Sequence, residues 1–152
     1  VTVVELYGYN GPYCRRAMSE VEGLIRAHPN VRLVVREWPI LGDGLVFAAK
    51  AALAVRNQDK YEEFHRALMG IEERAQEASV LRAAEETGLD VDQLRSDMEA
   101  PEVQWHIDES MRLAQALDFN GRPSFVIGDN LVAGLVEQDQ LEALVDEARE
   151  MG

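Results

Sequence analysis

The sequence is poor in cysteine, in cationic residues and in long apolar runs, and each shortage excludes a class of protein. Cys14 is the only cysteine among the 152 residues, so the chain cannot form an internal disulfide. The three histidines, His28, His65 and His106, are too scattered along the chain to complete a zinc-type ligand set with it. We therefore expect no structural metal.

The charge balance and the hydropathy pattern narrow the possible partners. Fifteen Lys and Arg stand against 28 Asp and Glu, which gives a formal net charge of −13. Such a surface repels nucleic acid and anionic membranes, so we expect neither as a partner. No apolar run reaches the length of about 18 residues that a membrane-spanning helix needs. No basic-then-apolar leader precedes Val1, and we expect a soluble chain with no visible targeting segment.

The first part of the chain alternates between strand and helix patterns. "VTVVELY" (1–7) has the β-branched composition of a short buried strand. Pro12 is suited to the first position of a helix, where its missing N–H is not needed, and apolar residues then recur at helical spacing until "HPN" (28–30). "VRLVVREW" (31–38) predicts a second strand. The opening is a β-α-β unit.

The middle of the chain, about 43–118, is helical in pattern. Ser79 and Asp90 are predicted N-caps, Gly88 is a predicted C-cap and Pro101 is a predicted helix start. After this block the β period returns.

The last part predicts a hairpin and a helix. "SFVIG" and "LVAG" flank Asp129 and Asn130 as the two strands of a hairpin. "EQDQLEALVDEAREM" then has the pattern of an amphipathic helix. With a length of 152 residues, the chain is predicted to form one α/β domain in the order β-α-β, helical block, β-β-α.

Four segments in this order carry a resemblance to a known family. They are "VVELYGYNGPYCRR" at the first strand-helix junction, "REWPILG" (36–42), "YEEFHRALM" (61–69) and "NGRPSFVIGD" (120–129). Over its whole length the chain resembles the DsbA-like branch of the thioredoxin fold. The resemblance implies a thioredoxin core at about 1–42 and 119–152, with a helical insertion at about 43–118.

The resemblance implies a thiol-disulfide oxidoreductase that acts on protein or peptide thiols and disulfides in the bacterial cell envelope, the periplasm. In that chemistry, a cysteine at a helix N-terminus attacks a disulfide and is resolved by a cysteine three positions later. Here Gly11 stands at the first of these positions and Cys14 at the second. The ordinary dithiol-disulfide cycle within one chain is therefore impossible.

Other site residues are assigned by the same resemblance. Glu5 matches the buried carboxylate under the cysteine pair, and an acid inside an apolar strand is costly without a role. Pro12, Tyr13, Arg122 and Pro123 match the substrate-binding groove, and the Arg122–Pro123 bond is expected to be cis. The guanidinium of Arg122 could favour a neighbouring thiolate or hold a carboxylate. No cofactor or metal is implied, and glutathione enters only as a substrate.

Three further residues have an ordinary interpretation beside a functional one. Arg15 and Arg16 either crowd the rim of the site or belong to the solvated face of the first helix. His65 follows Phe64 on an apolar helical stripe, which is typical of a core histidine with satisfied hydrogen bonds, so we assign it no chemistry.

Three functions remain open at this point. The chain could be a single-thiol enzyme whose Cys14 forms mixed disulfides with glutathione or with a client. It could be a non-catalytic chaperone or adaptor that binds extended peptides beside Pro123. It could also be a glutathione-dependent transferase or isomerase, although Gly11 lacks the hydroxyl that one such branch uses. An exposed Cys14 would favour the enzyme, whereas a buried Cys14 would favour the binder.

Overall fold

The computed structural model describes residues 1–9, 12–39, 43–71, 75–134 and 136–151, with the side chains of residues 12, 13 and 43 left out. Within these ranges the chain forms four strands, seven α-helices and one 3₁₀ turn. In order they are β1 (Thr2–Tyr7), α1 (Pro12–Ala27), β2 (Arg32–Glu37), α2 (Asp43–Ala54), the 3₁₀ turn (Val55–Gln58), α3 (Tyr61–Met69), α4 (Glu77–Glu86), α5 (Val91–Asp97), α6 (Pro101–Ala116), β3 (Ser124–Ile127), β4 (Asn130–Ala133) and α7 (Gln138–Met151).

These elements belong to two compact units. The sheet unit contains Val1–Tyr7, Gly11–Arg36 and Arg112–Gly152, and the helical unit contains Gly8–Asn10 and Glu37–Met111. The boundaries between the units fall at 36/37 and 111/112. The single-domain organisation stays a prediction.

The sheet has the strand order β2-β1-β3-β4. β3 is antiparallel to both β1 and β4, with Leu6 opposite Ser124 and Ile127 opposite Asn130. The predicted hairpin is therefore confirmed, but its connection consists of Gly128 and Asp129, because Asn130, which was predicted to lie in the connection, is the first residue of β4. Gly128 has a φ of 59°, a left-handed conformation that glycine adopts without steric cost.

One face of the sheet packs against α1 and α7. The buried apolar side chains of this core come from β1, β3, both helices and the residue just before β2: Val3, Ala17, Val21, Leu24, Val31, Phe125, Ile127, Leu141 and Val145. The two helices also meet through a polar contact, in which the backbone N–H of Gln138 donates to Glu20 Oε2 at 2.6 Å. The amphipathic pattern of both helices is thus explained by one shared core.

The helical unit packs through small side chains. α2 buries five alanines, Ala48, Ala49, Ala51, Ala52 and Ala54, which allow neighbouring helices to approach closely. Ala49 and Leu53 of α2 contact Val103 and Ile107 of α6 in one apolar cluster. No helix in the described part of the chain is both long and apolar enough to cross a membrane.

The predicted helix ends are partly confirmed, with two corrections. Gly88 is not the C-cap of α4, because that position is Thr87 and Gly88 follows it with φ 81°. Asp90 caps α5 by accepting a hydrogen bond from the Gln93 N–H at 3.1 Å, and Pro101 opens α6. Ser79, however, is not an N-cap, because α4 begins at Glu77 and its N-cap is Gln76. The Ser79 hydroxyl lies one turn inside, where it accepts a hydrogen bond from the Gln76 N–H at 2.9 Å.

Candidate functional site

The candidate site lies where β1 ends and β3 begins. Because the two strands are antiparallel and Leu6 pairs with Ser124, the end of β1 is beside the chain that enters β3. The chain leaves β1 at Tyr7 and enters α1 at Pro12, while Pro123 immediately precedes β3. The sheet register alone therefore brings the start of α1 and Pro123 to the same end of the sheet.

The turn before β3 is held by hydrogen bonds on both sides of Pro123. The Arg122–Pro123 peptide bond is cis, as the resemblance implies. The Pro123 carbonyl accepts a hydrogen bond from the Gly134 N–H at 2.8 Å. The hydroxyl of the fully buried Ser124 donates to the Gly121 carbonyl at 2.6 Å. These hydrogen bonds hold the backbone on both sides of Arg122 in place.

Cys14 lies in the first turn of α1 and is fully buried, with 0% of its surface exposed. The first turn of α1 carries no acidic residue, so the positive end of the helix dipole is not offset locally. The dipole favours a thiolate at this place, whereas burial limits access to the sulfur. The sequence analysis expected an exposed Cys14 in an enzyme and a buried Cys14 in a peptide binder. The burial of Cys14 therefore favours the binding role.

Arg122 is electrostatically coupled to Cys14. Burial lowers the pKa of the half-buried Arg122 guanidinium, and the negative charge of a Cys14 thiolate opposes this lowering of the pKa. The structure therefore brings a cation and the only thiol into interaction range. Of the two other candidate rim arginines, Arg15 is half-buried and Arg16 is exposed.

Glu5 is buried in β1, with 6% of its surface exposed. It pairs with Phe125 in the sheet register, and it lies two residues after Val3, so all three side chains are on the sheet face that packs against α1. Burial in this apolar layer raises the pKa of Glu5 from its ordinary value of 4.5 to about 7. A carboxyl group with this pKa exchanges its proton near neutral pH.

The structure thus groups several of the residues assigned by resemblance, and the rest lie outside what it describes. Cys14 and Arg122 interact, Pro123 adjoins Arg122, and Glu5 lies on the strand that leads to the site. Gly11 and the side chains of Pro12 and Tyr13 lie outside the described residues.

A second polar cluster, which the sequence analysis missed, occurs in the helical unit. Tyr9 Oη donates a hydrogen bond to Glu37 Oε1 at 3.0 Å and is 2.9 Å from His65 Nδ1. His65 was expected to have satisfied hydrogen bonds, and it does, although its ring is only partly buried. The one available signal was Glu37, an acid at the end of the apolar strand "VRLVVRE".

Across the residues that the structure describes, no group of three or more His, Cys, Asp or Glu side chains is placed to hold a metal ion.

The fold is similar to those of solved thioredoxin-like proteins. A thioredoxin-like oxidoreductase from Silicibacter pomeroyi DSS-3 superposes with a TM-score of 0.96 at 65% identity, covering 98% of this chain and 86% of that chain. The thiol-disulfide exchange protein alpha-DsbA2 from Wolbachia pipientis superposes with a TM-score of 0.89 at 29% identity, covering 97% of this chain and 81% of that chain.

The curated relatives are much longer proteins. A Na(+)/H(+) antiporter, NhaA 3 of Salinispora tropica, is 29% identical over 95% of this chain, and the match spans only 22% of the antiporter. The family model of the DSBA-like thioredoxin domain matches residues 2–146. With a match over nearly its whole length, the chain belongs to the DSBA-like thioredoxin domain family.

Proposed function

We propose that this domain binds extended polypeptide segments beside Arg122 and Pro123 and does not run a dithiol-disulfide cycle of its own. The observation that carries the proposal is the complete burial of Cys14, which is also the only cysteine in the sequence. A buried single thiol has neither a resolving partner nor free access to a substrate disulfide. The remaining part of the site is the surface at Arg122 and Pro123, where the family resemblance implies a substrate groove.

The charge of the groove indicates which peptides it prefers. Arg122 is half-buried in a chain of net charge −13, and burial lowers its pKa, so a carboxylate partner would stabilise its charged form. Extended peptides are bound through backbone hydrogen bonds, while pockets and charges select the side chains. We therefore propose acidic, extended segments of partner proteins as the ligand class.

Single-thiol chemistry is the second candidate, and the coupling of Arg122 to Cys14 favours it. A cation beside a cysteine stabilises the thiolate, which is the nucleophilic form. In this reaction the Cys14 thiolate would attack the disulfide of oxidised glutathione, forming a Cys14–glutathione disulfide and releasing one glutathione thiolate. The bacterial cell envelope stays the proposed compartment for either function.

A dithiol oxidation assay separates the two candidates. The parent and a Gly11→Cys variant are incubated with a reduced dithiol peptide in a glutathione buffer, and peptide disulfide and intact protein mass are followed. Residues three apart at a helix start can reach the Cα separation of roughly 4.4–6.8 Å that a disulfide needs. The variant should oxidise the peptide stoichiometrically, and the parent should oxidise it no faster than buffer. A parent that accumulates one glutathione on Cys14 would establish the single-thiol function instead.

A further inference from the structure

One aromatic side chain of the helical unit is used neither by the core nor by the proposed function. Trp105 lies on α6 and is 61% exposed. Among the residues that the structure describes, no other Phe, Tyr or Trp side chain is exposed. A single exposed aliphatic side chain such as Leu131 is ordinary at a protein surface. Tryptophan differs because it is among the side chains most enriched where partner proteins bind, so Trp105 marks a candidate contact surface.

The geometry of α6 turns Trp105 away from the core. α6 contributes Val103 and Ile107 to the apolar cluster that it shares with α2. Each of these residues is two positions from Trp105, which corresponds to about 200° of helix rotation. The Trp105 ring therefore stands on the opposite side of α6, where it takes no part in that cluster. Tryptophan is also only a moderate helix former, so helix stability does not account for it either.

The chain on both sides of Trp105 is acidic. The stretch 96–111 contains no Lys or Arg. Its five acidic residues are Asp97, Glu99, Glu102, Asp108 and Glu109. The last three are three or four positions from Trp105, the spacing at which side chains are neighbours on a helix surface, with Cβ atoms about 5–6 Å apart. Glu102 and Asp108 are exposed, and Gln104 Nε2 orients Asp108 by donating a hydrogen bond to its Oδ1 at 3.0 Å. A flat aromatic ring is thus bordered by carboxylates in both directions along the helix.

An arginine side chain suits both the ring and the carboxylates. A guanidinium group within about 6 Å of an aromatic face is attracted by the ring, and tryptophan is the strongest partner of this kind. The planar donors of a guanidinium group also bond a carboxylate in pairs, which a lysine ammonium group cannot do. Over longer distances, the net charge of −13 attracts a cationic partner and repels an anionic one. The charge and the aromatic ring together select a basic partner that contains arginine.

We propose that the outer face of α6 around Trp105 is a docking site for an arginine-containing basic segment of another protein. This Trp105 surface consists of Glu102, Trp105, Asp108 and Glu109. Trp105 is its apolar centre, on which a guanidinium group stacks, and the three carboxylates form its charged border. The inference goes beyond the proposed function, because it uses other residues and a partner opposite in charge to the acidic peptides assigned to Arg122. Binding of an acidic peptide and binding at the Trp105 surface can therefore fail independently.

The test is the affinity for three synthetic peptides of the same length, measured by titration calorimetry at physiological ionic strength. The first carries several arginines, the second has lysines at the same positions, and the third has citrullines, which keep the planar shape of arginine without its charge. We expect the parent to bind the arginine peptide several-fold more tightly than the lysine peptide, and the citrulline peptide least. Trp105→Ala should lose about tenfold in affinity for the arginine peptide and much less for the lysine peptide. Glu102→Gln combined with Asp108→Asn should weaken the binding of both cationic peptides.

Two matched variants provide the controls. Leu131→Ala removes another exposed apolar side chain, and Glu85→Gln combined with Glu86→Gln removes two exposed acids of α4. Neither control should change the affinity for the arginine peptide by more than about twofold, because exposed charges and single exposed aliphatic groups contribute little on their own. A loss in either control as large as that in Trp105→Ala would overturn the proposal.

A second measurement uses the parent alone and needs no variant to fold. Trp38 is the only other tryptophan in the sequence and is 5% exposed, so the neutral quencher acrylamide acts mainly on the fluorescence of Trp105. Saturating arginine peptide should protect this fluorescence from acrylamide, whereas the citrulline peptide at the same concentration should not. The proposal is overturned if the arginine peptide does not bind, if it binds without protecting the tryptophan, or if Trp105→Ala binds it as tightly as the parent.

Discussion

At the scale of single residues, the protonation of Glu5 makes the stability of the protein depend on pH. Burial raises the pKa of Glu5 to about 7, so between pH 4.5 and 7 the folded chain keeps a proton that the unfolded chain has released. Stability contributed by this group therefore falls as pH rises through that interval, and the loss is complete above about pH 7. The full difference corresponds to roughly 3 kcal/mol.

Replacing Glu5 with Gln should remove this dependence. The amide has a similar shape and no charge, so Glu5→Gln should flatten the fall in unfolding free energy between pH 5 and 8 and should stabilise the protein at pH 8 by roughly 2 kcal/mol. Urea unfolding at the two pH values measures it. Glu147→Gln, an exposed position on α7, is the control and should keep the slope of the parent. If the unfolding free energy of Glu5→Gln falls with pH as steeply as that of the parent, then ionising Glu5 does not destabilise the folded protein.

Arg122 should determine the charge preference of the groove. We expect the parent to bind an acidic peptide more tightly than a neutral peptide of the same length, and Arg122→Ala to lose about tenfold in affinity for the acidic peptide only. Arg122→Lys keeps the charge without the planar donor arrangement and should lie between the two. Fluorescence anisotropy of labelled peptides measures these affinities. The account is wrong on this point if Arg122→Ala weakens both peptides equally or lowers the unfolding free energy by much more than about 1 kcal/mol.

At the scale of elements, close packing of α2 depends on a glycine near its start. A Cβ atom added to Gly44 would clash with the backbone carbonyl oxygen of Ala75, which precedes α4. Backbone atoms cannot move aside as a flexible side chain can. The close approach of these two segments therefore requires the absence of a side chain at Gly44.

This contact reverses the usual effect of a glycine-to-alanine change in a helix. Alanine is normally better than glycine by about 1 kcal/mol in a helix interior. Gly44→Ala should instead destabilise the protein by roughly 1–3 kcal/mol, the range typical of overpacked sites. Thermal or urea unfolding measures the effect. Gly70→Ala is a suitable comparison, because its new Cβ would meet no atom closer than 3.3 Å. Equal stability of Gly44→Ala and the parent would contradict the packing described for α2.

At the scale of the whole molecule, sequence patterns predicted what depends on local periodicity. The strand at Thr2–Tyr7, the helix opening at Pro12 and the hairpin around Asp129 are all present, because each is specified by side chains close together in sequence. The Ser79 prediction was wrong because a serine can serve a helix start from the third helical position as well as from the N-cap.

Contacts between distant residues were not predictable in the same way. The Tyr9–Glu37 and Tyr9–His65 bonds join residues 28 and 56 positions apart, and nothing in the local pattern of any of the three indicates its partners. The residues of the candidate site were found only because ordered motifs resemble a family. The burial of Cys14 is a property of tertiary packing, and it changes which of the open functions the site favours.

The central claim, that the domain binds peptide without using its sulfur, is tested most directly by one affinity measurement. The dissociation constant of an acidic, extended peptide without cysteine is measured for the parent and for Cys14→Ala, in the presence of excess reductant. The account predicts that both bind and that the two constants agree within about twofold, a difference below 0.5 kcal/mol. It is contradicted if neither protein binds this peptide while the parent captures a cysteine-containing peptide that reductant releases.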